Sequence, residues 1–174
     1  MQTGKIVQGD CVKHEVDVIA EKENRYLMIE CKFHNQTGIA CDVKIPLYIN
    51  SRFKDLEAKC KTLPEHNNRS YEAWVVTNTR FTADAAQYGI CAGLNLLGWD
   101  YPANDSLNKQ IDALSLYPVT CLTALSKNEK QNLLNEQVIL CKQITSDKQL
   151  LRHAGISEAR INLVMNEATQ LCTA

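Results

Sequence analysis

The sequence predicts an α/β fold with a small all-helical region at its C-terminal end. Two observations carry that expectation. The N-terminal part holds strand-like runs with a two-residue alternation, and a helical period follows them. Residues 122–174 hold no strand pattern but several short helical ones. A chain of 174 residues suits one medium domain, or one small domain with an appendage. The change of pattern near 118–122 divides it into residues 1–118 and residues 122–174.

Residues 5–11 and 12–21 read as two strands with a turn near Gly9-Asp10. In the second, Val16, Val18 and Ala20 alternate with Glu15, Asp17 and Ile19. KENR (22–25) is a polar turn, and residues 26–32 form a third strand, so short turns predict an antiparallel meander. Residues 33–42 are a loop containing Gly38. A helix over 43–63 gathers Ile45, Tyr48, Ile49, Phe53, Leu56 and Cys60 mostly on one stripe. Asp42 is its expected cap, which leaves Pro46 near the helix start, where proline is tolerated. PEHNNRS (64–70) is a loop and EAWVVT (72–77) a buried strand. Thr82 caps a helix over 83–97 that Gly98 ends, and a short strand follows around Trp99. NDS (104–106) opens a helix that stops before Pro118. Four helices follow, at 126–135, 136–144, 147–153 and 157–172.

Eight cysteines lie at 11, 31, 41, 60, 91, 121, 141 and 172, with no C-x-x-C pair. Several sit in apolar runs, such as Cys91 in YGICAGL. This predicts reduced, mostly buried thiols in a cytoplasmic protein rather than a disulfide framework or a zinc site. No apolar run approaches the roughly 20 residues that span a bilayer. The first residues, MQTGKIVQGD, lack the apolar core of a signal peptide. The sequence starts almost directly in a strand, which suggests a longer parent chain or a further N-terminal element. A net charge of −1 does not advertise nucleic-acid binding, although a neutral total can hide a basic face.

HEVDV (14–18) and IECK (29–32) carry the chemistry. Two-residue geometry puts Glu15 and Asp17 on one face of their strand, and Glu30 and Lys32 on one face of the next. Pairing through the turn at 22–25 gathers all four into one patch. Phosphodiester hydrolysis needs such a patch: carboxylates hold Mg²⁺ by hard oxygens, and the ion activates water and phosphate. A lysine beside it orients or helps deprotonate the water and offsets charge in the transition state. Cys31 points to the opposite face, and only its backbone carbonyl can reach the ion. The plain alternative for Asp17, Glu30 and Lys32 is a cross-strand ion pair on a solvated face. For Glu15 it is simple surface charge.

Asp17 followed by Glu30-Cys31-Lys32 on neighbouring strands, with a helix after them, resembles the PD-(D/E)xK nuclease motif. HEVDV, ECKFH, DVKIPLYINSRFKD and WVVTNTRFTADA, in that order, are similar to the Mrr-like restriction-endonuclease family, including members attached to ATP-cone domains. The resemblance covers about residues 5–100. It implies a restriction-endonuclease-like core with a mixed β-sheet flanked by helices. It also implies a metal-dependent endonuclease acting on DNA, with Mg²⁺, or Mn²⁺ in its place. Asp17 and Glu30 with the Cys31 carbonyl would hold the metal, and Lys32 would position or activate water. An N-terminal ATP-cone domain in a parent chain is a further implied partner. Related nucleases usually begin with an acid-bearing helix, which this sequence lacks; Glu15 is the expected partial substitute. The motif's proline is absent too. A catalytically weak or inactive DNA-binding or assembly module of the same fold is the alternative. Double-strand cutting would call for a homodimer.

The flanking residues carry weaker expectations. His14 is expected to be exposed or bonded to backbone rather than a ligand, and His34 is open between phosphate or metal contact and that ordinary role. Tyr48 is expected in the core, and Arg52 is open between phosphate and solvent. Asn78, Thr79 and Arg80 follow a buried strand and could contact substrate or form a plain polar turn. In the C-terminal region Gly155 separates two helical stretches and Ser157 can cap the second, which resembles a helix-hairpin-helix. Such a hairpin can offer amides to DNA phosphates; packing or dimerisation is the plainer role.

Overall fold

Alternating β-branched and polar residues build β1 (Gln2–Gln8), β2 (Lys13–Lys22) and β3 (Arg25–Lys32), paired antiparallel in sequence as the short turns require. The structure, a computed structural model, describes residues 1–36, 38–63 and 69–173. Most of the loop expected at 64–70 lies outside the described residues. β1 ends earlier than the sequence suggested because Gly9 closes the turn, its amide donating to Val12 O at 2.8 Å. Gly4, at φ 58°, interrupts β1 in the left-handed region that glycine tolerates.

β4 (Ala40–Cys41) precedes the helix α1 (Lys44–Cys60). Val43, not Asp42, is the boundary residue, yet the Asp42 carboxylate still accepts from Lys44 N at 3.0 Å. α1 returns the chain to β5 (Ser70–Thr77), which runs parallel to β3 in unbroken register from Arg25↔Ser70 to Lys32↔Thr77. β6 (Arg80–Phe81) pairs parallel with β4. Thr82 caps α2 (Ala83–Ala92), its hydroxyl accepting from Ala85 N at 3.2 Å. The expected helix over 83–97 is shorter, because Gly93 at φ 73° stops it. The chain then extends into β7 (Asn95–Leu97), parallel to β5, where a strand around Trp99 was expected. The five-stranded mixed sheet has the order β1-β2-β3-β5-β7.

Side-chain period sets what α1 covers. Leu56 and Cys60 pack on Val16, Ile19, Tyr26 and Met28. Ile49 packs on Ala73, Val75, Leu94 and Leu96. Val16 and Ile19 lie in one buried cluster although three residues apart, so the alternation read from the sequence shifts between them. Asn50, buried on α1, is satisfied by donating to Tyr88 Oη on α2 at 2.7 Å.

The chain divides into two compact units, Met1–Leu107 and Asn108–Ala174. The second is helical: α3 (Leu107–Leu114), whose first residue closes the first unit, then α4 (Lys127–Asn135), α5 (Cys141–Ser146), α6 (Gln149–His153) and α7 (Glu158–Thr173). Leu122, Leu133, Ile144, Leu151 and Val164 are fully buried in its core. Ser126 and Glu129 form a reciprocal capping box on α4. Residues 136–140 are not helical as expected. They run beside the segment before α4, with Val119 N donating to Ile139 O and Cys141 N to Tyr117 O. Gly155, at φ 84°, turns α6 into α7.

All eight cysteines are free. Cys41, Cys60 and Cys141 are buried, but Cys11, Cys31, Cys91 and Cys121 are exposed, so the expectation of mostly buried thiols fails. Cys91 is exposed because α2 turns Ala85 and Gly89 inward, and two residues past Gly89 is roughly the opposite side of a helix. Among the described residues, no helix is long and apolar enough to cross a membrane.

Thr82→Ala should lower unfolding stability by about 1 kcal/mol in urea titration, and Thr82→Ser should restore most of it.

Candidate active site

The main-chain ladder between β2 and β3 runs from Lys22↔Arg25 to Val18↔Ile29. One step past it, the Asp17 carboxylate accepts from Cys31 N at 2.7 Å, taking up an amide beyond the ladder's end. Glu30 is 8% exposed, and a buried carboxylate must be paired. Lys32 Nζ stands 2.5 Å from its Oε1 and Arg52 Nη1 2.9 Å from its Oε2. The other Arg52 amino group donates to Glu15 O. The Arg52 guanidinium lies 5.3 Å from the centre of the Tyr48 ring.

An open cleft of about 290 Å³ is lined by His14, Glu15, Asp17, Glu30, Tyr48 and Arg52, among others. The structure thus brings Glu15, Asp17 and Glu30 to one opening, and Lys32 to Glu30. Glu15 is exposed and gives Arg52 its carbonyl. Cys31 gives Asp17 its amide and exposes its thiol. Among the described residues, no three His, Cys, Asp or Glu side chains are grouped to hold a metal ion. Tyr48 is 58% exposed at the cleft, which corrects its expected place in the core: α1 turns Ile49 and Leu56 inward and leaves Tyr48 outside that stripe. Arg52 faces Glu30 rather than open solvent.

Behind the cleft, Asp55 organises the β1–β2 turn. Its carboxylate accepts from Cys11 N at 2.7 Å and Val12 N at 3.3 Å, and meets His14 Nε2 at 2.7 Å. His14 is therefore a structural partner of Asp55. The Cys11 amide, then His14, hold the Asp55 carboxyl far below the usual carboxylate range. Gly9 makes this approach possible, since a Cβ there would stand 2.0 Å from Asp55 Oδ2.

The remaining candidates lie elsewhere on the first unit. His34 N donates to Asn78 Oδ1 at 2.8 Å, and Asn78 Nδ2 donates to His34 O at 2.9 Å. Asn78 therefore clasps the segments that leave β3 and β5. Thr79 Oγ1 is 3.1 Å from Thr77 Oγ1. Arg80 lines a second, larger pocket.

A family model described as AF1548-like, C-terminal, matches residues 117–172. An uncharacterized protein of Archaeoglobus fulgidus is 34% identical over 171 residues, covering 98% of this chain and 92% of that protein. The crystal structure of a protein of unknown function, AF1548, aligns with a TM-score of 0.77 and 33% identity, covering 99% of this chain and 88% of that one.

The chain belongs to the AF1548-like family. The likeness to these AF1548-like relatives spans both the cleft-bearing unit and the helical one.

Sequence reasoning left Arg52 undecided and passed over Asp55. The signal available was helical spacing: Tyr48, Arg52 and Asp55 recur at four and three residues along α1, a stripe beside the apolar one. Nothing local says which strand that stripe meets.

Because the Asp55 carboxyl is depressed in the folded state, its stabilising effect is complete above the ordinary value near 4 and is lost as pH falls toward the folded value. In urea midpoints measured from pH 7 to pH 2, Asp55→Asn should be less stable than wild type at neutral pH. It should also lose less stability on acidification.

Proposed function

We propose that the first unit is a Mg²⁺-dependent endonuclease core of restriction-endonuclease-like fold that hydrolyses DNA phosphodiester bonds. One observation carries the reading: Asp17 and Glu30, from adjacent strands, open into one cleft while Lys32 contacts Glu30. The antiparallel meander, α1, β5 and α2 also follow in the order of the segments that resemble Mrr-like nucleases.

The donors suit the ion's chemistry. Two carboxylates and the Cys31 carbonyl are hard oxygen ligands of the kind Mg²⁺ takes. Bound there, the metal would supply Lewis-acid polarisation of the phosphate and a lowered pKa for attacking water. The chain's own groups do the rest. Lys32, held by Glu30, positions water and offsets negative charge on the phosphate. Arg52, anchored by Glu30 and the Glu15 carbonyl, presents a second cation to the DNA backbone. Glu15 adds a carboxylate at the mouth of the cleft.

A second reading has its own support. Arg52 and Lys32 each take one oxygen of Glu30, so a metal would compete with two built-in cations. A DNA-binding module without catalysis would keep that arrangement. Calorimetric titration with Mn²⁺ discriminates. Binding by the wild type, strengthened in Arg52→Gln, supports the nuclease; no heat with DNA affinity retained supports the module.

Asp17→Ala and Lys32→Ala should each reduce Mg²⁺-dependent cleavage of plasmid DNA at least about a hundredfold, with the circular-dichroism spectrum unchanged. Wild-type rates in both variants would refute the assignment.

A further inference from the structure

We infer that the larger pocket of the first unit is a nucleotide site that takes one unstacked base beside the cleft. It deepens the nuclease reading and rests on it for the identity of the substrate. β3, β5 and β7 are parallel neighbours, and the pocket is built from the residues that follow their C-terminal ends. Phe33 to Gln36 follow β3, Asn78 to Arg80 follow β5, and Trp99 with Asp100 follow β7. The crevice outside the carboxyl ends of parallel strands is where open α/β sheets bind ligands. Its volume of about 610 Å³ falls in the range of small-molecule sites.

The lining has a nucleotide's chemistry. Phe33 is 74% exposed and Trp99 47% exposed, so both aromatic rings lining the pocket have surface open to a ligand. Aromatic faces stack bases of any sequence, and an arginine beside them meets phosphate. Arg80 is that cation: it is exposed, and its guanidinium makes no hydrogen bond or ion pair to another described residue, the residue's pairing with Ala40 being through the strand backbone. Asp100 and the amides of Asn35 and Gln36 line the same pocket and can meet the polar edge of a base.

The frame is rigid where it needs to be. Trp99 N donates to Thr79 O at 2.9 Å, which ties the segment after β7 to the one after β5. Gly98 permits that approach: a Cβ there would stand 3.0 Å from Thr79 O and 3.1 Å from the Phe81 ring. The Asn78–His34 clasp ties in the segment after β3. Phe33 directly follows Lys32, so the pocket adjoins the strand end that bears the proposed catalytic lysine. A base held on Phe33 and Trp99 would hold the strand's backbone close to that lysine.

The protein's two tryptophans make the test direct, because Trp74 lies within β5 and Trp99 lines the pocket. Fluorescence is titrated in EDTA, which prevents cleavage, with three probes: adenosine 5′-monophosphate, blunt duplex DNA, and a duplex ending in one unpaired 3′ nucleotide. The unpaired end should quench emission in the wild type and in Trp74→Phe but not in Trp99→Leu. Phe33→Ala and Arg80→Gln should each weaken that binding about tenfold, as loss of a stacking or phosphate contact does, with the circular-dichroism spectrum unchanged. Quenching by the monophosphate as well assigns the site to free nucleotides too; quenching by the unpaired end alone assigns it to strand termini. No quenching by either, or quenching that Phe33→Ala and Arg80→Gln leave intact, overturns the site. If those two variants bind normally while Asp17→Ala abolishes cleavage, the pocket inference falls and the nuclease reading stands. If the quenching maps to the pocket but the wild type cuts no DNA, the reverse holds.

Discussion

A carboxylate with 8% of its surface exposed sets the terms for the first unit. Ionised and unpaired, Glu30 would be far too costly in this setting, because burial strips it of water. Lys32 comes from its own strand, two residues away, but Arg52 comes from α1 and so fixes how that helix lies across the sheet. The apolar stripe of α1 sets which side faces the strands. The Arg52 contact sets where along the strands the helix sits, because the guanidinium must reach both Glu30 and the Glu15 carbonyl. Packing and chemistry thus converge on a single side chain. A buried ion pair is weak evidence for net stability, since hydrophobic residues of equal size often do as well.

Much of this was legible in the residues. Alternation and short polar turns gave the three-stranded meander, and Thr82 marked its helix because a hydroxyl ahead of an apolar period has one economical use. The ends were harder. Residues 94–97 read as helix because Leu94, Leu96 and Leu97 continue the apolar run, while a glycine at Gly93 decides otherwise. β4 and β6 are two residues each, too short for any period, and exist only because the segments beside them meet in space. The meeting of Glu15, Asp17 and Glu30 at one cleft, with Lys32 against Glu30, was readable from strand geometry. The placement of Arg52 and the Asp55–His14 contact was not, because each depends on how a helix lies over strands distant in sequence. The shift of alternation between Val16 and Ile19 escaped for a related reason: it follows from packing under α1, not from the local pattern.

The acidic cleft and the aromatic pocket of the first unit flank one topological change. Up to β3 the chain reverses by tight turns; from β3 onward it advances through helices and its strands run parallel. β3 belongs to both regimes. Its junction with β2 frays into the acidic cleft, where side chains take up main-chain groups past the end of the ladder. Its junction with β5 stays registered to the last residue, Lys32 opposite Thr77, and Thr77 Oγ1 donates to Lys32 O at 2.7 Å. That clamp holds the strand end firm between a polar opening on one side and an aromatic one on the other.

The borders of the sheet limit how copies of the chain could associate. β7 offers only three residues, and β1 is interrupted at Gly4, where the backbone departs from the extended form. Neither presents the long, straight row of amides and carbonyls on which a foreign strand could be laid down. Two copies of the chain would therefore meet more readily through helices or loops than by joining their sheets edge to edge.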